Sequence, residues 1–142
     1  MTSFFDTSVL FAAFIEDHEH HVASLRAFSR STRKTGCCAA HSLAELYAIA
    51  TGLPRRQRLT RDQALMLLEN VRERLTLVAL DPQEYFDEIA RAASVGVSGG
   101  TIYDALLIAC AVKARASAIY TWNVTHFRQT WPTLGEQIQA PP

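Results

Sequence analysis

Ser3-Phe4-Phe5-Asp6-Thr7-Ser8-Val9-Leu10 begins as a short apolar run, meets a single carboxylate at Asp6, and continues into an apolar stretch. Three more short runs, Cys37 to Ala40, Thr76 to Ala79 and Ala118 to Thr121, also read as strands. Between the strands the apolar residues recur at helical spacing, as in Val22, Leu25 and Phe28, or Leu65, Leu68, Val71 and Leu75, with Arg, Glu and Gln on the opposite faces. Pro82 suits the first turn of a helix that stops at Gly96, and a further helix, apolar nearly all round, is expected from Thr101 to about Arg115. Strands alternating with helices require right-handed crossovers. The expected fold is therefore α/β, a three-layer α/β/α sandwich around a short parallel sheet. In such sheets, sites form where the strands end, at their carboxyl edge.

The chain has 142 residues, 49% apolar and 20% charged, and no repeat or linker divides it, so one domain over residues 1–142 is expected. Fourteen basic residues balance fourteen acidic ones, so any site for a polyanion must be a local patch. The longest apolar run, Ala105 to Val112, falls far short of the ~20 residues of a membrane-spanning helix, and no membrane association is expected. The N-terminus has no Lys or Arg ahead of its apolar stretch and carries Asp6 within it, unlike a secretory signal, so the mature chain is expected to start at Met1. Cys37, Cys38 and Cys110 are odd in number and two are adjacent, which suits a reducing compartment, and the cytoplasm is the expected location.

Four residues stand where the sheet edge should be. Asp6 follows the first strand, Glu45 lies in the first turns of the helix after the second, Asp104 opens the apolar helix, and Asn123 follows the last strand. Capping offers one account: Ser42-x-x-Glu45 and Thr101-x-x-Asp104 have the spacing of a capping box, and Asp6 and Asn123 could each cap a helix alone. It leaves Asp104 unexplained, because the eight residues after it are all apolar and a carboxylate turned into protein needs a counter-ion. No Lys or Arg adjoins Asp6, Glu45 or Asp104 in sequence. Converging carboxylates of this kind suit a hard divalent cation that takes oxygen ligands and keeps some waters, magnesium or manganese.

The strand-end Asp of Phe5-Asp6-Thr7-Ser8-Val9-Leu10, the Glu of Ala44-Glu45-Leu46-Tyr47, Tyr103-Asp104-Ala105-Leu106-Leu107 and the terminal Thr121-Trp122-Asn123-Val124-Thr125-His126-Phe127, in that order, resemble a PIN domain. The likeness is greatest to the VapC-type toxins of bacterial toxin–antitoxin pairs. It implies a magnesium-dependent endoribonuclease that hydrolyses RNA phosphodiester bonds, with Mn2+ able to replace Mg2+. Asp6, Glu45 and Asp104 match the first three members of the acidic catalytic quartet, and Asn123 falls where many relatives carry Asp. With three formal charges instead of four, one strongly bound ion is expected, and a second recruited with substrate. The resemblance also implies a cognate antitoxin protein and a homodimer.

Further signals are weaker. Arg55, Arg56 and Arg58, with Arg61 beyond them, form a basic cluster that could track phosphates or simply be solvated surface. Trp122 could stack on a base or pack in the core, and Ser8 could orient a bound water or phosphate or bond back to its own helix. His18, His20, His21, Cys37, Cys38 and His41 lack the spacing of a zinc site and read as solvated histidines and ordinary thiols. Gly96 to Thr101 lacks the Lys of a phosphate loop and reads as a connector. Met66 and Leu67 widen the apolar stripe of their helix, which points either to a helix buried on two sides or to a subunit interface. A different functional class, a catalytically silent module that binds a protein partner, is the alternative to the enzyme; a phospho-accepting receiver domain lacks its acidic pair before Asp6.

Overall fold

Alternation along the first strand sends Phe4 and Phe5 to opposite faces, and both are fully buried, so each face acquires its own core. The computed structural model describes residues 2–142; Met1, the expected start of the mature chain, lies outside them. The strands are β1 (Ser3–Phe5), β2 (Gly36–Ala39), β3 (Thr76–Val78), β4 (Ala118–Tyr120) and β5 (Ile138–Gln139). They form one parallel sheet in the order β3-β2-β1-β4-β5, with Phe4 opposite both Cys37 and Ile119. The chain steps outward from β1 to β3, then returns past β1 to lay down β4 and β5. The order reverses between β1 and β4, the point at which open α/β sheets form their crevice.

The helices are α1 (Thr7–Phe14), α2 (His21–Arg30), α3 (His41–Gly52), α4 (Arg61–Arg74), α5 (Pro82–Ser94), α6 (Thr101–Lys113) and α7 (Val124–Thr130), followed by a 3-10 turn at Pro132–Leu134. One core joins Phe5 and Cys38 to Val9 and Leu10 of α1, Phe28 of α2, Leu46 of α3 and Leu67 and Val71 of α4. The other joins Phe4, Cys37, Ile119 and Ile138 to Leu107, Ile108 and Ala111 of α6 and Phe127 of α7. Burial of each Phe contributes about 2 kcal/mol before the cost of ordering it. The three-layer sandwich expected from the sequence is the fold observed.

The structure departs from the sequence reading in three places. The two-residue strand β5 was not anticipated; it pairs with β4 through Ile138 opposite Ile119, with Ile138 fully buried. Helix α4 is buried on one side within this chain: Ala64, Leu67 and Val71 face the core, while Leu65 and Met66 are exposed. The capping boxes lie elsewhere than expected, at Thr60 with Gln63 and at Asp81 with Glu84. Helices α3 and α6 begin after Ala40 and Gly100, neither of which makes a side-chain cap, so Glu45 and Asp104 are not capping-box acids. Asp6 does cap α1, accepting the Thr7 N–H. Gly96 and Gly99 adopt positive φ in the α5–α6 connector, as its reading as a turn requires.

Among the described residues, no helix is long and apolar enough to cross a membrane.

Candidate active site at the carboxyl edge of the sheet

Asp6 leaves β1 at the point where the strand order reverses, and its carboxylate is almost wholly buried. Three protein groups hold it. Oδ1 accepts the Thr7 backbone N–H at 2.8 Å, and Oδ2 accepts the hydroxyls of Ser8 at 2.7 Å and Thr121 at 2.8 Å. Thr121 follows β4, so this last bond ties the two strands together across 115 residues of sequence. Ser8 in turn accepts the Trp122 backbone N–H at 3.1 Å, and Thr121 Oγ1 accepts that of Asn123 at 3.0 Å.

Burial pushes the Asp6 carboxyl up to about 6, and the charge of Asp104 adds to the rise against the three hydrogen bonds, which lower it. Among the described residues, no Lys or Arg acts on it. Asp104 sits in the first turn of α6, half-buried, and its Oδ2 lies 2.8 Å from Nε2 of His126. Burial raises its carboxyl and His126 opposes the rise. The sequence suggested no partner here, and the His126 ring is one. Glu45, in the second turn of α3, receives Thr7 Oγ1 at 3.0 Å on its Oε1, while the same hydroxyl lies 2.8 Å from Ser42 Oγ.

Thus Thr7 touches both Asp6 and Glu45, Asp104 acts electrostatically on Asp6, and Ser8 is bonded to Asp6. Asn123 stands apart. It is exposed, occupies the N-cap position of α7 without a side-chain cap, and enters the network through its backbone. Arg55, Arg56 and Arg58 are exposed on the turn between α3 and α4, and Arg58 Nε is already spent on the Leu53 carbonyl. Trp122 presents no open ring face to the side where His20 lies, because that imidazole stacks on it at 3.8 Å and 8°. Its indole N–H donates to the buried Ser24. His20 is therefore more than a solvated histidine.

Thr7, Thr121 and His126 were not singled out from sequence, and Ser42 was considered only as a cap. Thr121 and His126 do lie within the terminal motif, one before Trp122 and one a helical turn after Asn123, and that spacing is the only local signal they carry.

Among the described residues, no three His, Cys, Asp or Glu side chains are drawn together closely enough to hold a metal ion as they stand. What the edge offers is an open set of hard oxygens, one of them a buried carboxylate that no Lys or Arg neutralises. That donor chemistry fits a small divalent cation which retains several of its waters, and it does not fit a soft metal that wants sulfur. Cys37, Cys38 and Cys110 are buried free thiols pushed up by burial to about 11, 12 and 11.

The PIN domain family model matches residues 3–129. Ribonuclease VapC40 of Mycobacterium tuberculosis is 33% identical over 116 residues, 82% of each chain. Among solved structures, M. tuberculosis VapC20, described as a Sarcin-Ricin loop cleaving toxin, superposes with a TM-score of 0.70 at 13% identity, covering 88% of this chain and 92% of that one. VapBC2 from Rickettsia felis, bound to a DNA fragment from its promoter, gives 0.62 at 17% identity over 90% and 92%. The structural likenesses concern the fold.

Proposed function

The chain belongs to the PIN domain family, and on that premise we propose that it is a metal-dependent endoribonuclease, the toxin of a type II toxin–antitoxin pair, acting on RNA in the cytoplasm. The observation that carries this reading is the buried, cation-free Asp6 carboxylate within the field of Asp104 at the strand-order reversal. A purely structural role would favour an apolar or neutral residue there. The ribonuclease relative of the same family supports the choice of RNA.

Asp6, Asp104 and Glu45 would hold Mg2+, or Mn2+ in its place. When bound, the ion supplies Lewis acidity toward the scissile phosphate and lowers the pKa of a coordinated water. The protein's own part is preorganisation. Thr7, Ser8 and Thr121 fix the Asp6 carboxylate through three hydrogen bonds, so it need not reorient when the ion arrives. The His126 ring holds Asp104 Oδ2 at 2.8 Å. Asn123, exposed and neutral, adds no charge, which favours one firmly held ion and a second that arrives with the substrate phosphate. Arg55 and Arg56 are the side chains free to contact RNA phosphates. A cognate antitoxin and a second copy of the chain are the proposed protein partners, and the exposed Leu65 and Met66 of α4 are available to either.

Purified protein incubated with RNA and Mg2+ or Mn2+ should cleave it, and chelation should stop cleavage. Asp6→Asn and Asp104→Asn should each lose at least about a hundredfold, since even partners one shell removed from a metal cost that much. Full cleavage by Asp6→Asn ends this reading. Absence of cleavage by the wild type, alongside tight capture of a protein partner, would establish the catalytically silent module instead.

A further inference from the structure

Among the described residues, Thr7 is the one bonded to two of the three candidate carboxylates. Its backbone N–H reaches Asp6 Oδ1 at 2.8 Å and its hydroxyl reaches Glu45 Oε1 at 3.0 Å, while Ser42 Oγ lies 2.8 Å from that same hydroxyl. Ser42 is fully buried and Thr7 nearly so. A hydroxyl carries a single proton, and a carboxylate only accepts. Thr7 Oγ1 is the donor to both Glu45 Oε1 and Ser42 Oγ, so its one proton serves two acceptors and Ser42 seats the hydroxyl that reaches Glu45.

We propose that Thr7 and Ser42 are positioning residues, a buried hydroxyl relay that locks the Glu45 carboxylate of α3 in register with Asp6 at the start of α1. The proposal rests on the reading of Glu45 as part of the site. Three observations separate the relay from incidental packing. Ser42 has the sequence spacing of a cap but does not cap α3, whose N-cap is Ala40, so its hydroxyl is available for another task. Glu45 is half-exposed and could be hydrated by solvent, yet one of its oxygens is tethered to a buried group of another helix, which freezes a side chain rich in rotamers. The tether consumes Oε1 alone; among the described residues no hydrogen bond from the protein is made to Oε2, which stays available. The two bonds of Thr7 are also separable, because the one to Asp6 comes from the backbone and survives any side-chain change.

That separability supplies the test. Thr7→Val keeps the shape and the bond to Asp6 while removing the hydroxyl, Ser42→Ala removes the group that seats it, and Thr7→Ser retains the hydroxyl. Calorimetric titration of Mn2+ into RNA-free protein should show roughly tenfold weaker binding for Thr7→Val and a smaller loss for Ser42→Ala, with Thr7→Ser close to wild type. In RNA cleavage kcat should fall while KM for RNA holds. In metal-free protein, thermal unfolding should show coupling: Thr7→Val lowers Tm less in a Glu45→Ala background than alone. Should Thr7→Val fail to fold, Thr7→Ala removes the same hydroxyl, keeps the backbone bond to Asp6 and carries the same comparison. Wild-type Mn2+ affinity in Thr7→Val beside a large loss in Glu45→Ala overturns the relay and leaves the functional reading standing. Wild-type affinity and cleavage in Glu45→Ala overturns the functional reading of Glu45, and the relay with it. Failure of Thr7→Ser to restore Mn2+ affinity in a folded protein also overturns the relay.

Discussion

The two ends of the sheet handle charge in opposite ways. At the amino end, before β2 and β3, Arg33 gives Nε and Nη2 to the Arg72 carbonyl at 3.1 and 2.8 Å, and Arg74 reaches the carbonyls of Ser29 and Ser31 at 3.0 and 3.2 Å. Those carbonyls belong to the last turns of α4 and α2 or follow directly, where a helix has acceptors left over and a negative dipole end. The cations there are consumed by the backbone. A polar cleft lined by Arg33, Asn70, Glu73 and Arg74 opens beside them, yet both guanidinium groups are already engaged. At the carboxyl end the hydroxyls of Thr7, Ser8 and Thr121 hold carboxylates in place without neutralising them. A cleft is thus a poor guide to chemistry; charge that is positioned but not cancelled is the better one.

The contrast breaks most sharply if activity and stability fail to separate between the ends. Besides its loss of cleavage, Asp6→Asn should raise the metal-free Tm. Burial and Asp104 lift its carboxyl from 3.8 to about 6, a cost on the order of 3 kcal/mol at neutral pH. At a few degrees per kcal/mol in a chain of this size, part of that cost returns as a gain of roughly 5 °C, readable by calorimetry in chelator. A lower Tm would mean that the three hydrogen bonds matter more than the relieved charge.

At the amino end the expected signs reverse. A Cβ on Gly36 would lie 2.7 Å from Leu75 Cδ2 and 2.9 Å from Ser31 Cβ, both in packed surroundings. Gly36→Ala should therefore destabilise by about 2 kcal/mol in urea unfolding, with cleavage per folded molecule unchanged. Arg74→Ala should cost about 1 kcal/mol through its lost carbonyl contacts and leave cleavage alone. An effect of Arg74→Ala on RNA binding would sharpen the comparison by giving the amino end a function.

The smallest effect concerns the exposed edge near α5. Glu84 is held below the ordinary glutamate range first by the Asp81 backbone N–H and then by Lys113. A depressed carboxyl contributes stability that is present above its unfolded pKa and disappears as pH falls through the folded value. Glu84→Gln should be slightly less stable than wild type at neutral pH, and the difference should vanish in acid scans below about pH 4.

The strands were readable because each is a short apolar run followed by polar residues, and the helices because their apolar spacing is regular. β5 was not: two residues, Ile138 and Gln139, have no periodicity, and β4 alone makes them a strand. Asp6 and Asp104 could be singled out by position, the one after a strand and the other ahead of an apolar helix. The false caps at Ser42 and Thr101 show the limit of spacing, since the same i, i+3 pattern forms true boxes at Thr60 and Asp81. At Ser42 the deciding neighbour is Thr7, 35 residues away, and Asp104 is drawn instead to His126 on another helix. His126 and Thr121 were missed for the same reason: their partners are distant in sequence, and neither residue type announces a contact.

β1 lies in the middle of the sheet although it is made first, and its neighbour on one side, β4, begins at Ala118 of a 142-residue chain. During synthesis the segment that holds Asp6 must wait, one flank unpaired, until Ala118 and the residues after it have emerged. The hydroxyl of Thr121 that steadies Asp6 arrives equally late. A ribosome building this chain accordingly carries an unassembled site until β4 has emerged, and premature termination anywhere before β4 yields a product that lacks the Thr121 hydroxyl.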